Sequence, residues 1–186
     1  GWSYADVLPY FKRYENRIGE HDTTYRGTDG EQTVTDLDWR HPLCDAFIKA
    51  AVGIGIPENK DYNGGIQEGV SYVQRTTKGR LRVSAAKAFL NPAKKRRNLS
   101  IRTNAHVMRI ELEGKRATAV RYAVGGRHGV EHVVEARREI ILSAGTINSP
   151  HILQLSGIGP KELLDDLGIE VKHHLPGVGE NLRDHY

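Results

Sequence analysis

The chain has 186 residues, enough for one or two domains with a real core, and its 38% hydrophobic and 27% charged content is that of an ordinary globular protein. No apolar run approaches the roughly 20 residues a membrane helix needs. With one cysteine, Cys44, neither an intrachain disulfide nor a cysteine-based metal site can form, and the net charge of +4 (27 Lys and Arg against 23 Asp and Glu) marks no class by itself.

Ser3 followed by Asp6 is a capping-box start for a helix over residues 4–17. Gly19 is its expected stop, Val7, Leu8, Phe11 and Tyr14 its apolar face, and Pro9 falls early enough to be tolerated. Residues 20–30 are polar and turn-rich, and 31–35 read as a short strand. Pro42 opens a second helix over 42–54, in which Leu43, Phe47, Ala51 and Ile54 recur at helical spacing. Cys44 in that pattern reads as a small core residue. Residues 61–69 form a Gly-rich loop, 70–74 a strand, and 84–90 a short helix that stops at Asn91-Pro92.

The second half changes character. Residues 99–101 and 105–112 are strand-like, with His106, Met108, Ile110 and Leu112 on one face and Val107 on the other. Residues 116–124 and 130–136 complete an antiparallel meander, turned at Gly114-Lys115 and Gly125-Gly126. The apolar run at 139–143 reads as a buried strand that enters a glycine turn and then a helix near Ser149-Pro150. Residues 160–167 are a short helix closed by Gly168, and 169–171 a last short strand. The composition shift near 80–95 sets the expected boundary: residues 1–85 helical with long loops, residues 86–186 a compact sheet with two helices.

Residues 69–110 hold no Asp or Glu but eleven Lys and Arg, among them Lys94-Lys95-Arg96-Arg97. One reading is a basic surface that contacts nucleic acid. The other is a solvated face, which the poor aromatic interleaving (Tyr72 and Phe89 only) favours, so no nucleic-acid partner is expected.

The segment Gly145-Thr146-x-x-Ser149-Pro150-x-Ile152-Leu153-x-x-Ser156-Gly157-Ile158-Gly159 resembles the second signature of the glucose–methanol–choline (GMC) flavin oxidoreductases. Further stretches resemble the family in the family's order. They are Gly1-Trp2-Ser3-Tyr4-x-Asp6-Val7-Leu8-Pro9-Tyr10-Phe11, Asp61-Tyr62-Asn63-Gly64, Gln67-Glu68-Gly69, Ser84-Ala85-Ala86, and Leu175-Pro176-Gly177-Val178-Gly179-Glu180-Asn181-Leu182-x-Asp184-His185. The likeness covers essentially the whole chain and is nearest the choline-dehydrogenase-like branch. It implies a mixed α/β fold: part of an FAD-binding domain carrying the meander, plus part of a substrate or lid domain. It implies an internal fragment of an FAD-dependent oxidoreductase that oxidises a primary or secondary alcohol to an aldehyde or ketone. The expected partners are a small alcohol and the rest of the polypeptide, with no transmembrane segment. The expected location is cytoplasmic, in keeping with one cysteine.

The resemblance also assigns cofactor contacts. The family's adenine-contacting valine falls on Val107, and Ala144 and Gly145 follow the apolar run where backbone can approach a flavin closely. Helix–strand packing accounts for the same two residues. Gly53-x-Gly55, Gly157-x-Gly159 and Gly177-x-Gly179 all lack the third glycine of a dinucleotide fingerprint and read as structural turns. Alcohol oxidation needs a base for the hydroxyl proton, usually His. None of the nine His has a metal-ligand spacing or a marked partner, and the family's catalytic His is expected beyond Tyr186. A Gly-x-Ser-x-Gly elbow and a P-loop are absent.

Overall fold

The computed structural model describes residues 1–185 and separates the chain into two compact units, Gly1–Ser100 and Ile101–Tyr186. The composition shift had placed the change between 85 and 86. Residues 86–93 belong instead with the first unit, where Ala88 is buried and Tyr14 meets Phe89 edge-on at 6.5 Å. Both helices and strands are present, so the fold is mixed α/β.

In the first unit, α1 (Tyr4–Tyr14) starts on the expected capping box. The Asp6 N–H donates to Ser3 Oγ at 3.3 Å, and the Ser3 N–H donates to the Asp6 carboxylate at 3.1 Å. The helix ends three residues before the expected 17, because the chain turns extended at Glu15 and β1 (Glu15–Ile18) pairs in parallel with β2 (Gln32–Thr35). Tertiary pairing overrides the local helical pattern here. α2 (Pro42–Gly53) is capped by His41, whose Nδ1 accepts the Leu43 N–H at 3.2 Å. β3 (Thr77–Lys78) and β4 (Leu81–Arg82) form a small hairpin, and a π-helical turn (Ala86–Leu90) runs into α3 (Asn91–Ala93). The strand expected at 70–74 is reduced to one isolated bridge, Glu58 with Val70, and Arg75 just past it bridges Thr35.

Cys44 is exposed on α2, not buried. Of the helix's residues only Ala51 is buried, and Leu43, Phe47 and Ile54 stand in solvent. The apolar stripe is real, but nothing among the described residues covers it.

What holds this unit is a buried guanidinium. Arg26 is 3% exposed and binds Glu15 in a fork, Nε to Oε2 at 3.0 Å and Nη2 to Oε1 at 2.7 Å. Its Nη1 donates to Asp61 Oδ1 and to Gln74 Oε1, and the Gly27 N–H donates to Glu15 Oε2 at 3.0 Å. The end of α1, the 26–27 turn and the loop at 61–64 therefore meet on one side chain. Burial alone would lower the Arg26 pKa. The Glu15 hydrogen bond and the charges of Glu15 and Asp61 outweigh that, so the net direction is up and the group stays charged.

The second unit is built on the meander β5 (Ala105–Glu113), β6 (Arg116–Val124) and β7 (Val130–Glu135), in that spatial order. Two register shifts interrupt β5, between Val107 and Arg109 and between Glu111 and Leu112. Strict alternation therefore fails. Val107 lies opposite Tyr122 and Ile110 opposite Val120, while His106, expected on Ile110's face, pairs with Ala123 and is exposed. The central strand carries the core, with Ala119, Tyr122 and Ala123 buried and Tyr122 stacked on His132 at 5.4 Å. Beside it Glu111 accepts from Arg121 at 2.7 Å and Arg109 at 3.1 Å.

Then follow α4 (Gly145–Leu155), β8 (Ile158–Gly159), α5 (Lys161–Asp166) and β9 (His173–His174). The last strand falls at 173–174, not 169–171, where it pairs in parallel with β8. Residues 99–101 form no strand. Neither do residues 139–143: Ile141 is 79% exposed. That run has the composition of a buried strand, but no strand among the described residues lies beside it to complete its ladder. No described helix is long and apolar enough to cross a membrane.

Two outcomes follow. Arg26→Met leaves two largely buried carboxylates without a counter-charge and should destabilise the first unit by about 3–5 kcal/mol, read as a lower urea midpoint. In the second unit the Arg121 hydrogen bond holds the Glu111 carboxyl below the ordinary carboxylate range. Its folded pKa is the lower one, so its stabilisation is present at neutral pH and lost as pH falls through that depressed value. Stability measured against pH should fall less steeply on the acid side in Glu111→Gln than in the parent.

Candidate functional site

The signature segment folds around the hydroxyl of Ser156. Ser156 Oγ accepts the Ile110 N–H at 2.8 Å and donates to the Ile152 carbonyl at 2.6 Å, and the residue is 7% exposed. β5 is an edge strand of the meander, so its outer N–H would otherwise be an unpaired buried donor. The C-terminal end of α4 fills that place.

Gly157 comes next and has φ +82°. A Cβ there would sit 2.4 Å from the Glu170 carbonyl oxygen. Its own carbonyl accepts the N–H groups of Lys172 at 2.8 Å and His173 at 3.0 Å. Only glycine meets both the positive φ and the close backbone approach. Gly159 and Gly179 are joined through Gln154. The Gln154 amide donates to the Val178 carbonyl at 3.2 Å, a Cβ on Gly179 would fall 2.7 Å from its Nε2, and one on Gly159 would fall 3.2 Å from its Cγ. Gly157, Gly159 and Gly179 thus make room for chain packing, while a Cβ on Gly177 would meet open space.

This packing leaves a groove of about 580 Å³. One wall is α4, with Thr146, Ile147, Pro150 and His151; the other is the segment 177–183. At its head α4 begins on Gly145, φ +89°, with open space where a Cβ would stand. The N-cap residue Ala144 offers no side-chain cap, and its N–H is taken by Ser149 Oγ at 3.1 Å. The first N–H groups of α4 therefore lack side-chain acceptors, the arrangement that suits a negatively charged group.

The three cofactor residues named from the sequence are not all brought together. Ala144 and Gly145 are adjacent and exposed at the head of α4, next to the groove wall at Thr146. Val107 is half-buried on β5 and does not line the groove. The end of α4 that reaches β5 is the C-terminal one, at Ser156.

No described histidine has the setting of a catalytic base. His41 and His174 accept backbone N–H groups of Leu43 and Lys161, at 3.2 and 3.1 Å, and His132 stacks on Tyr122. His151 and His185 are exposed, and no group of described residues gathers three metal-ligating side chains. Sequence reasoning did not single out Gln154, Arg26 or the 177–183 wall as organising elements. Only the glycines at 159 and 179 signalled that a side chain passes between them.

A family model described as GMC oxidoreductase matches residues 1–186. An oxygen-dependent choline dehydrogenase of Rhizobium rhizogenes is 48% identical over 185 residues, covering 100% of this chain and 33% of that protein. Among solved structures, an FAD-dependent oxidoreductase from Chaetomium thermophilum superposes with a TM-score of 0.92 at 34% identity, covering 99% of this chain and 34% of that one. Pyridoxine 4-oxidase from Mesorbium loti gives 0.85 at 32% identity, covering 94% and 34%. The chain spans about a third of the length of the curated relatives it matches. None of these likenesses supports a nucleic-acid-binding module at residues 69–110.

Ser156→Ala strands the buried Ile110 N–H and should cost about 1–3 kcal/mol. Gly157→Ala meets both the positive φ and the Glu170 carbonyl, so thermal unfolding should place it below Ser156→Ala.

Proposed function

The chain belongs to the GMC oxidoreductase family, and on that premise we propose that it is part of an FAD-dependent enzyme that oxidises a primary or secondary alcohol to an aldehyde or ketone. The observation that carries this reading is the family match over residues 1–186, joined to 48% identity along the full chain with an enzyme named for choline. The substrate class is accordingly a small, choline-like alcohol. Residence in the cytoplasm completes the reading, on the single cysteine.

FAD, when bound, supplies the acceptor for the carbinol hydride. The residues here fit one portion of such a group. The uncapped head of α4 faces negative charge with N–H groups, and Gly145 presents no side chain to block close approach. Ala144 and Gly145 are proposed contacts on that ground, and Val107 a separate contact along β5. Thr146, Ile147 and the 177–183 segment flank the groove. The described residues contain neither a complete Gly-x-Gly-x-x-Gly nor a positioned histidine pair, so the pyrophosphate cradle and the proton acceptor are assigned outside them.

The isolated 186-residue chain should therefore purify without bound flavin and show no alcohol-dependent reduction of added FAD. A flavin band that co-purifies and bleaches with choline would overturn the division of labour proposed here.

A further inference from the structure

We propose that Asn63 is a self-modification site. Its side-chain amide is lost to attack by the Gly64 peptide nitrogen, and the residue becomes aspartate or isoaspartate. The reaction lies outside the alcohol oxidation proposed above and needs no partner surface, because both reacting groups belong to one dipeptide. The sequence singles the place out. Of the eight asparagines Asn63 alone precedes glycine, and the other seven precede residues that carry a side chain. A side chain there crowds the attacking nitrogen and narrows the backbone angles it can reach; glycine removes both restraints.

The step balances without an oxidant or a reductant. The Gly64 nitrogen bonds to Asn63 Cγ, the Cγ–Nδ2 bond breaks, and ammonia leaves with the proton that the Gly64 nitrogen gives up. Water then opens the cyclic imide. Breaking the new bond leaves aspartate. Breaking the original peptide bond leaves isoaspartate, whose main chain is one methylene longer.

The structure exposes the dipeptide and restrains it at one point. Asn63 is exposed, in a turn closed by the Gly64 N–H, which donates to the Asp61 carbonyl at 2.9 Å. That bond occupies the attacking nitrogen, so opening of the turn gates the reaction. Asp61 Oδ2 is buried, accepts no hydrogen bond among the described residues, and lies 3.4 Å from the point a Gly64 Cβ would occupy. A carboxylate oxygen with free lone pairs therefore stands beside the residue that must lose its proton once the turn opens.

The consequence falls on the Arg26 hub. Asn63 borders the same hollow as Glu15 and Arg26. Either product adds a carboxylate near Glu15 and Asp61, which already share the Arg26 guanidinium. Isoaspartate also lengthens the turn that carries Asp61 to Arg26. Ageing of the chain at Asn63 thus weakens the first unit.

The test incubates the 186-residue chain in mildly alkaline buffer, folded and in urea, and follows every asparagine by peptide mapping and mass spectrometry. Gly64→Ala is carried through both conditions, so that a folding defect in the variant is separated from the chemistry. Alanine suits the backbone there, since Gly64 is not among the glycines of positive φ. The expected result is replacement of the side-chain NH2 by OH at residue 63 ahead of all other asparagines, faster in urea than in the folded chain. Gly64→Ala should be several-fold slower in both. The urea midpoint should fall on ageing in the parent and hold in Asn63→Gln. A folded chain that stays unmodified while the urea sample converts, equal conversion at another asparagine, an unchanged rate in Gly64→Ala, or an equal fall of the midpoint in Asn63→Gln would each overturn the assignment.

Discussion

The second unit depends on one hydroxyl. Ser156 Oγ satisfies the outward N–H of Ile110 and the carbonyl of Ile152 together, in a place where water is excluded. The hydroxyl joins an edge strand's free N–H to a carbonyl of the last turn of a helix. Once that joint is made, Gly157 must turn with positive φ, its carbonyl gathers Lys172 and His173, and β9 aligns on β8. Gln154, two residues before Ser156, then reaches Val178 and sets the far wall of the groove. The far wall of the groove thus follows from a joint at the C-terminal end of α4, while its head is uncapped because Ala144 carries no capping side chain.

The first unit solves a related problem with charge in place of a hydroxyl. Arg26 draws Glu15, Asp61 and Gln74 to one point and so ties three stretches that share little apolar contact. The scarcity of core is plain in α1, which buries none of its residues, and in α2, which buries only Ala51. Polar hubs carry the organisation where apolar faces stay uncovered.

How far the sequence was legible follows from these two devices. The meander, the capping box at Ser3 and the helices α1 and α2 were legible because period, turn and cap signals are local. The family was legible because Ser149-Pro150 and Ser156-Gly157-Ile158-Gly159 keep a fixed spacing. What failed required partners remote in sequence. Residues 139–143 have a strand's composition without neighbouring strands. Cys44 sits in an apolar stripe that nothing described covers, and β5 slips register at Met108, which no alternation rule anticipates. Of the cofactor residues, Ala144 and Gly145 occupy one place and Val107 another. The reason is that α4 meets β5 at Ser156, eleven residues beyond Gly145.

If the Ser156–Gly157 joint organises the second unit, it opens only when the whole unit does. Native-state hydrogen exchange, resolved by residue, reads this directly. The amides of Ile110, Lys172 and His173 should exchange together, at the slow rate set by global unfolding of the unit. Fast exchange at Ile110 while β6 amides stay protected would show that the joint is peripheral, and would contradict the claim that it positions the groove.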